Sequence, residues 1–163
     1  MRIIAIDPGT TQSAWVLLDG EEDPPRVAAM GLERNGLVRA MLAASQAEHL
    51  AIEMVACYGM PVGATTFETC LWIGRFIELW QRPYTKIYRK ADTCMRLCNS
   101  SRANDANIAQ AIRDRYPATG GGAKPQVGTK KQPGPLYGVK KDIWQALGVG
   151  LAWFDIQKEE RAR

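Results

Sequence analysis

The sequence predicts an α/β domain in which helices flank a mixed five-stranded sheet. Short apolar runs, such as residues 2–7 and 50–55, are typical of strands, whereas longer segments with apolar residues three and four apart predict helices. Strands come first and then alternate with helices, as in layered α/β architectures. With 163 residues, the chain is long enough for one such domain with a sizeable core.

Each element follows from its local pattern. Asp7 ends the first strand at a Pro-Gly turn, so residues 2–7 and 13–19 are predicted to form a hairpin. The other predicted strands are 26–31 (an edge), 50–55 and 85–88, and the predicted helices are 36–49, 65–80, 90–98, 104–116 and 140–156. We predict a single domain over residues 1–157, with a flexible Gly-, Pro- and Lys-rich loop at about 118–139 and a charged tail at 158–163.

Composition excludes several classes of protein. Hydrophobic residues make up 46% of the chain and charged residues 23%, which is too apolar for a disordered protein. No apolar stretch is long enough to cross a membrane, and Asp7 interrupts the N-terminal run too early for a signal peptide. We therefore expect a cytoplasmic protein without a membrane partner. Its cysteines (Cys57, Cys70, Cys94 and Cys98) are expected to be reduced thiols that pack, because a single histidine gives little support for zinc.

The net charge of +4 hides a strong asymmetry. Residues 1–81 carry 5 Lys/Arg against 10 Asp/Glu, whereas residues 82–141 carry 13 against 3. A basic region beside an acidic one is typical of a polyanion-binding surface next to a carboxylate site, although a solvated basic loop is an equally good explanation of the charge alone.

A few acidic residues stand where chemistry would need them. Asp7 ends a strand, Glu53 lies within an apolar strand, and Asp142 and Asp105 each open a helix. A carboxylate in an apolar strand is costly unless it is paired, hydrogen-bonded or bound to a metal. Strand ends and a helix N-terminus could bring Asp7, Glu53 and Asp142 together.

Carboxylates that converge repel one another and raise one another's pKa unless a cation lies between them. Mg²⁺ suits such a site because it prefers oxygen ligands, and paired ions can activate water and stabilise the leaving oxygen of a phosphodiester. The carboxylates and the basic surface together predict a metal-dependent nuclease. The alternative is that Asp7 and Asp142 merely cap turns and helices, which explains Glu53 less well.

Three motifs, in order, resemble the RuvC family of Holliday junction resolvases, and most closely its small phage and prophage members. They are residues 4–15 (IAIDPGTTQSAW), 50–53 (LAIE) and 142–150 (DIWQALGVG), and together they are much more specific than any one alone. The resemblance implies a ribonuclease H-like fold in a bacterial or phage-infected cell. It also implies a homodimer that nicks four-way DNA junctions symmetrically with Mg²⁺, or with Mn²⁺ in its place, leaving 5′-phosphate and 3′-hydroxyl ends.

The resemblance also assigns roles to the carboxylates. Asp7 would bridge the metals, Glu53 would be the second ligand, and Asp142 would share a metal or position the water. Gln145 stands where the family usually has its final aspartate. The site could therefore work with Gln145, could recruit Asp105 as a substitute acid, or could be weakened. Asp105 has a second explanation as an acid favoured by the dipole of its helix.

Basic and aromatic residues surround the predicted site. Phosphate contacts are expected from Lys90, Arg102, Lys124, Lys130, Lys131, Lys140 and Lys141, with Arg102 and Lys141 nearest the scissile phosphate. By the same resemblance, Tyr58 and Phe67 would wedge or stack at the junction, although a core position is the alternative for Phe67. The helix at 65–80 is the expected contributor to the dimer surface.

Two other functions stay open at this point. Residues 7–11 (DPGTT) also look like the phosphate loop of the actin, heat-shock ATPase and sugar kinase group, but that group needs two lobes and this chain has residues for one. Gln145 raises the further possibility of a non-catalytic junction-binding protein.

Overall fold

Alternating side chains of the first strand bury both faces of the sheet. Ile3 and Ala5 belong to one hydrophobic cluster, whereas Ile4 and Ile6 belong to a second. The computed structural model describes residues 1–163, and this strand lies in the middle of its five-stranded sheet. A sheet that is apolar on both faces needs helices on both sides.

The order of the strands confirms the predicted mixed sheet. The strands are β1 (Arg2–Asp7), β2 (Gln12–Asp19), β3 (Arg26–Arg34), β4 (His49–Met54) and β5 (Tyr84–Tyr88), in the order β3-β2-β1-β4-β5. β1 is antiparallel to β2 and parallel to β4, and β4 is parallel to β5. The predicted hairpin and the predicted edge strand are both present.

Helices cover both faces of this sheet. They are α1 (Asn35–Ala44), α2 (Ala64–Trp80), α3 (Met95–Cys98), α4 (Asp105–Arg115) and α5 (Ile143–Arg161), and a π-helical segment (Arg89–Cys94) leads into α3. Helices α1 and α2 pack on one face, and α4 and α5 pack on the other. Gly150 lets α5 approach the sheet, because a Cβ there would lie 2.4 Å from Cδ1 of Leu18.

Three predicted helices differ from the structure. Helix α1 stops at Ala44 because Ser45 is extended and its hydroxyl accepts the N–H of Ala47, so the chain enters β4 at His49. The segment predicted as a helix at 90–98 is π-helical in its first half. Helix α5 continues through most of the predicted charged tail at 158–163, where Lys158 pairs with Asp23 at 2.7 Å.

The loop at 118–139 has no helix or strand, as predicted, but it has a defined conformation. Backbone hydrogen bonds fold it onto itself, and Leu136 anchors it in the core. Glycines make the close approach possible, since a Cβ on Gly128 would lie 2.3 Å from the backbone nitrogen of Gly134. Composition alone predicts the missing periodicity but not this internal packing.

Candidate active site

Asp7 and Glu53 lie together where the parallel strands β1 and β4 end. Ile6 pairs with Ile52 in the ladder, so the two carboxylates follow side by side. Burial is the main cause that raises the pKa of Asp7 to about 8, with repulsion from Glu53 and Asp142 adding to it. The sheet therefore holds two acids together at a site that disfavours their charge.

The Glu53 carboxylate lacks a partner that a buried oxygen normally has. Burial raises the pKa of this carboxyl as well. Its Oε2 atom is buried and has no hydrogen-bond partner. Buried polar atoms almost always find partners, so an unpartnered carboxylate oxygen beside a second acid indicates that something positive belongs there.

A buried clamp fixes the turn that follows Asp7. The Ser13 hydroxyl accepts the N–H of Gly9 at 3.1 Å and donates to Oδ1 of Asn35 at 2.7 Å. Nδ2 of Asn35 donates to the Gly9 carbonyl at 3.0 Å, which closes the ring. Ser13 and Asn35 are both about 1% exposed. Sequence reasoning missed this clamp, because Asn35 is distant in sequence and carries no motif.

Asp142 reaches the site from the helix side. It immediately precedes α5, is exposed, and makes no capping hydrogen bond with its side chain. The interpretation of Asp142 as a helix cap is therefore wrong. Its charge helps to raise the pKa of Asp7, but the side chain does not form a metal-binding group with the strand acids. Lys141, just before it, has a left-handed φ of 49°.

Arg89 links the two residues between which sequence reasoning could not choose. Its Nη1 donates to Oε1 of Gln145 at 2.8 Å, and its Nη2 forms an ion pair with Asp105. Gln145 is only 8% exposed, whereas the Asp105 side chain is 74% exposed. Burial raises the pKa of Asp7 and Glu53, and the charge of Arg89 only partly opposes this rise.

Arg89 belongs to the basic region of residues 82–141, but sequence reasoning gave it no role in the site. The signal that could have found it is its position directly after β5, at the sheet edge where β1 and β4 also end.

The acids are the type of ligand that a divalent cation prefers, but in this structure they are not close enough together to surround one. The structure contains no group of three or more His, Cys, Asp and Glu side chains close enough to hold a metal ion. Asp7 and Glu53 nevertheless offer hard oxygen ligands, unbalanced charge and an unpartnered oxygen, which fit Mg²⁺ or Mn²⁺. Closing the site would need a movement of exposed Asp142 toward the strand acids.

A cleft of about 570 Å³ opens next to Arg89, and none of the acids lines it. Arg89, Lys90, Arg102 and Tyr58 line it, and the Lys90 ammonium lies 4.3 Å from the centre of the Tyr58 ring. Phe67 is 63% exposed, which excludes the alternative core position for this residue. The remaining predicted phosphate contacts are exposed but do not line the cleft: Lys124, Lys130, Lys131, Lys140 and Lys141.

The sheet order, the helix α5 across its centre and the acids at the ends of β1 and β4 define a ribonuclease H-like fold. Thermus thermophilus RuvC shares it, with a TM-score of 0.68 and 14% identity over 98% of this chain and 97% of that chain. T. thermophilus RuvC in complex with Holliday junction substrate gives 0.65 and 14% over 98% and 96%. These matches confirm the predicted fold.

Fowlpox virus resolvase in complex with substrate Holliday junction DNA aligns more loosely, with a TM-score of 0.47 and 14% identity over 96% of this chain and 99% of that chain. No protein-family model and no curated protein sequence matches this chain. None of its helices combines the length and the apolar character needed to cross a membrane.

Proposed function

We propose that this chain is a metal-dependent endonuclease that resolves four-way DNA junctions and related branched DNA. The observation that best supports this proposal is the pair Asp7 and Glu53, which are partly buried side by side at the strand ends and include one buried, unpartnered oxygen of Glu53. The fold is shared with a RuvC structure that holds a Holliday junction substrate, and this supports the choice of substrate.

Asp7 and Glu53 would hold the divalent ion, and Asp142 would complete its ligands from the helix side. Mg²⁺ is the proposed ion, with Mn²⁺ able to replace it, because the ligands are carboxylate oxygens. A bound ion of this kind supplies Lewis-acid stabilisation of the phosphodiester and lowers the pKa of water. The products would carry 5′-phosphate and 3′-hydroxyl ends.

The basic side of the cleft would bind the DNA backbone. Arg102 and Lys90 are both exposed, and both line the cleft. Both can neutralise phosphate charge without reading base sequence, which suits an enzyme that selects DNA shape. Outside the cleft, Lys140 and Lys141 precede α5, and Lys124, Lys130 and Lys131 lie on the loop, where they would contact the arms of the junction.

Two exposed aromatic side chains lie on the segment that follows β4. Tyr58 is 49% exposed and contacts Lys90, and Phe67 projects from the first turns of α2. Unpaired or splayed bases stack on such rings, whereas intact duplex offers no base face to them. The rings therefore support a preference for branch points.

A second copy of the chain is proposed to pack on α2. Leu71, one turn after Phe67 on this helix, is apolar and more than half exposed. Apolar surface of this kind marks interaction sites. A two-fold dimer would present two active sites to the two-fold symmetric junction.

The test is cleavage of a labelled four-way junction against linear duplex of the same sequence, with Mg²⁺, with Mn²⁺ and with EDTA. We expect paired nicks at the branch point that need the metal. Equal cleavage of the duplex would contradict junction selectivity. Binding to neither DNA would favour the nucleotide-binding alternative.

One observation favours a second candidate, a non-catalytic junction-binding protein. Gln145 is engaged with Arg89, so the helix side offers no further buried acid to a metal. Tight junction binding without cleavage in either metal would select this candidate.

A further inference from the structure

Arg89 is held between two helices beside the strand acids. Its side chain is 29% exposed, and one guanidinium nitrogen donates to Gln145, a buried residue of α5. The other nitrogen pairs with Asp105 at the start of α4. The guanidinium is thus held from two helices while its backbone follows β5.

The acidic side chains near Arg89 repel one another, and a positive charge nearby reduces this repulsion. Asp7, Glu53, Asp105 and Asp142 all lie on this side of the sheet, and Asp7 experiences repulsion from the other three. Arg89 is the positive charge that opposes this repulsion at both strand acids. Guanidinium remains charged at any physiological pH, so it can balance the acids permanently.

We propose that Arg89 is a tethered counter-ion that lies beside the acidic cluster and competes with a divalent cation there, and that Gln145 is the residue that holds it in place. The proposal rests on the proposed function because it concerns the same acids. It goes beyond that function because it makes cation entry and Arg89 departure competing events. Once displaced, the guanidinium fork is free to pair with a phosphate at the cleft.

Gln145 therefore has a role that neither sequence hypothesis gave it. An aspartate there would neutralise Arg89 but would also bind the metal. A buried glutamine accepts a hydrogen bond from Arg89 without adding charge, so it orients the guanidinium without neutralising it. Arg89 forms no ion pair with Asp7 or Glu53, so its charge acts on the strand acids through space. Asp105 is the second anchor of Arg89 rather than a substitute ligand.

The test is calorimetric titration of Mn²⁺ into the full-length, DNA-free protein. The wild type is compared with Arg89→Gln and with the charge-matched control Arg102→Gln, whose side chain is exposed on the same cleft. We expect Arg89→Gln to bind Mn²⁺ roughly tenfold more tightly because a competing charge is removed. The control is expected to stay within about twofold because its charge is screened by solvent.

Thermal melting provides a second readout. Without metal, Arg89→Gln should melt below the wild type because the acids lose their counter-ion, and Mn²⁺ should raise its melting temperature more than that of the wild type. Should Arg89→Gln fail to fold, Gln145→Met keeps the buried volume, removes the acceptor and should also tighten Mn²⁺ binding.

Unchanged or weaker Mn²⁺ binding by these variants, or no Mn²⁺ binding by any of the proteins, would overturn the proposal. Neither the calorimetric titration nor the thermal melt uses DNA, so both results are independent of junction cleavage. Junction cleavage with unchanged Mn²⁺ affinity would reject the counter-ion and keep the nuclease. Tighter Mn²⁺ binding by the variants together with no junction cleavage by the wild type would keep the counter-ion and reject the nuclease.

Discussion

The two halves of the candidate active site are built differently. On the strand half, Asp7 and Glu53 are fixed by a parallel ladder and are partly buried. On the helix half, Asp142 and Asp105 are exposed, and Arg89 ties Asp105 to Gln145. The strand half is preorganised, whereas the helix half consists of side chains that can rearrange.

This difference separates the tasks of the two halves. Burying two acids side by side costs stability, and a protein retains such an arrangement where the acids act. Exposed acids cost little and can adjust to what binds. We infer that the strand half sets where a cation binds, and that the helix half sets when and how tightly.

The largest expected effect comes from removing charge on the strand half. Asp7→Asn should slow junction cleavage by on the order of a thousandfold, because the cation loses its central ligand. Junction binding should stay within about twofold, since the phosphate contacts are elsewhere. Gel cleavage and binding assays measure the two effects.

The matched control for this variant is Asp114→Asn on α4, where the carboxylate only accepts a hydrogen bond from Gln110. It should change neither cleavage nor binding. Cleavage by Asp7→Asn at the rate of the control would remove the strand half from the mechanism.

The clamp beside Asp7 provides the next largest effect. Asn35→Ala leaves the Ser13 hydroxyl and the Gly9 carbonyl without their buried partner, which should lower the free energy of unfolding by about 2 kcal/mol. Urea denaturation measures this loss. Ser13→Ala, which disturbs the same ring, should act in the same direction. An unchanged urea midpoint for Asn35→Ala would show that the clamp does not stabilise the turn.

The raised pKa of Asp7 predicts a pH dependence of stability. In the folded, metal-free protein the pKa is about 8, whereas the ordinary value is 3.8. Between these values the folded state binds the extra proton, so stability should fall as pH rises, by up to about 1.4 kcal/mol for each pH unit. Denaturation in EDTA from pH 5 to pH 8 measures the slope. Asp7→Asn should give a shallower slope, and equal slopes would contradict the origin assigned to the effect.

The smallest expected effect lies next to the helix half. Lys141 has a left-handed backbone that glycine adopts without strain, so Lys141→Gly should raise the free energy of unfolding by about 0.5 kcal/mol. The same change removes one proposed phosphate contact and should reduce the salt dependence of junction binding by about one charge. If the variant is less stable than the wild type, the Lys141 side chain makes a contact that stabilises the fold by more than the left-handed backbone costs.

The strand half of the site could be predicted from the sequence. Asp7 and Glu53 each stand at or near the end of an apolar run, and the carboxyl ends of neighbouring parallel strands meet at one edge of a sheet. The sheet itself was predictable for the same reason, because strand patterns are local. The resemblance of three motifs to RuvC predicted the ribonuclease H-like fold.

The helix half could not be predicted in the same way. The contact of Arg89 with Gln145 joins residues that are 56 positions apart, and it depends on how α5 crosses the sheet. The π-helical segment that carries Arg89 has no composition signal. Phe67 was ambiguous for a related reason, since an apolar residue on a helix can face the core or a partner. Long-range packing decides each of these cases.

The most direct test of the account compares the two halves in one reaction. Single-turnover cleavage of a labelled four-way junction in Mg²⁺ is measured for the wild type, Glu53→Gln and Asp142→Asn. We expect no detectable nicks from Glu53→Gln and slow but measurable nicks at the wild-type positions from Asp142→Asn. Nicking by Glu53→Gln at a rate close to the wild type would contradict the assignment of the cation site to the strand half.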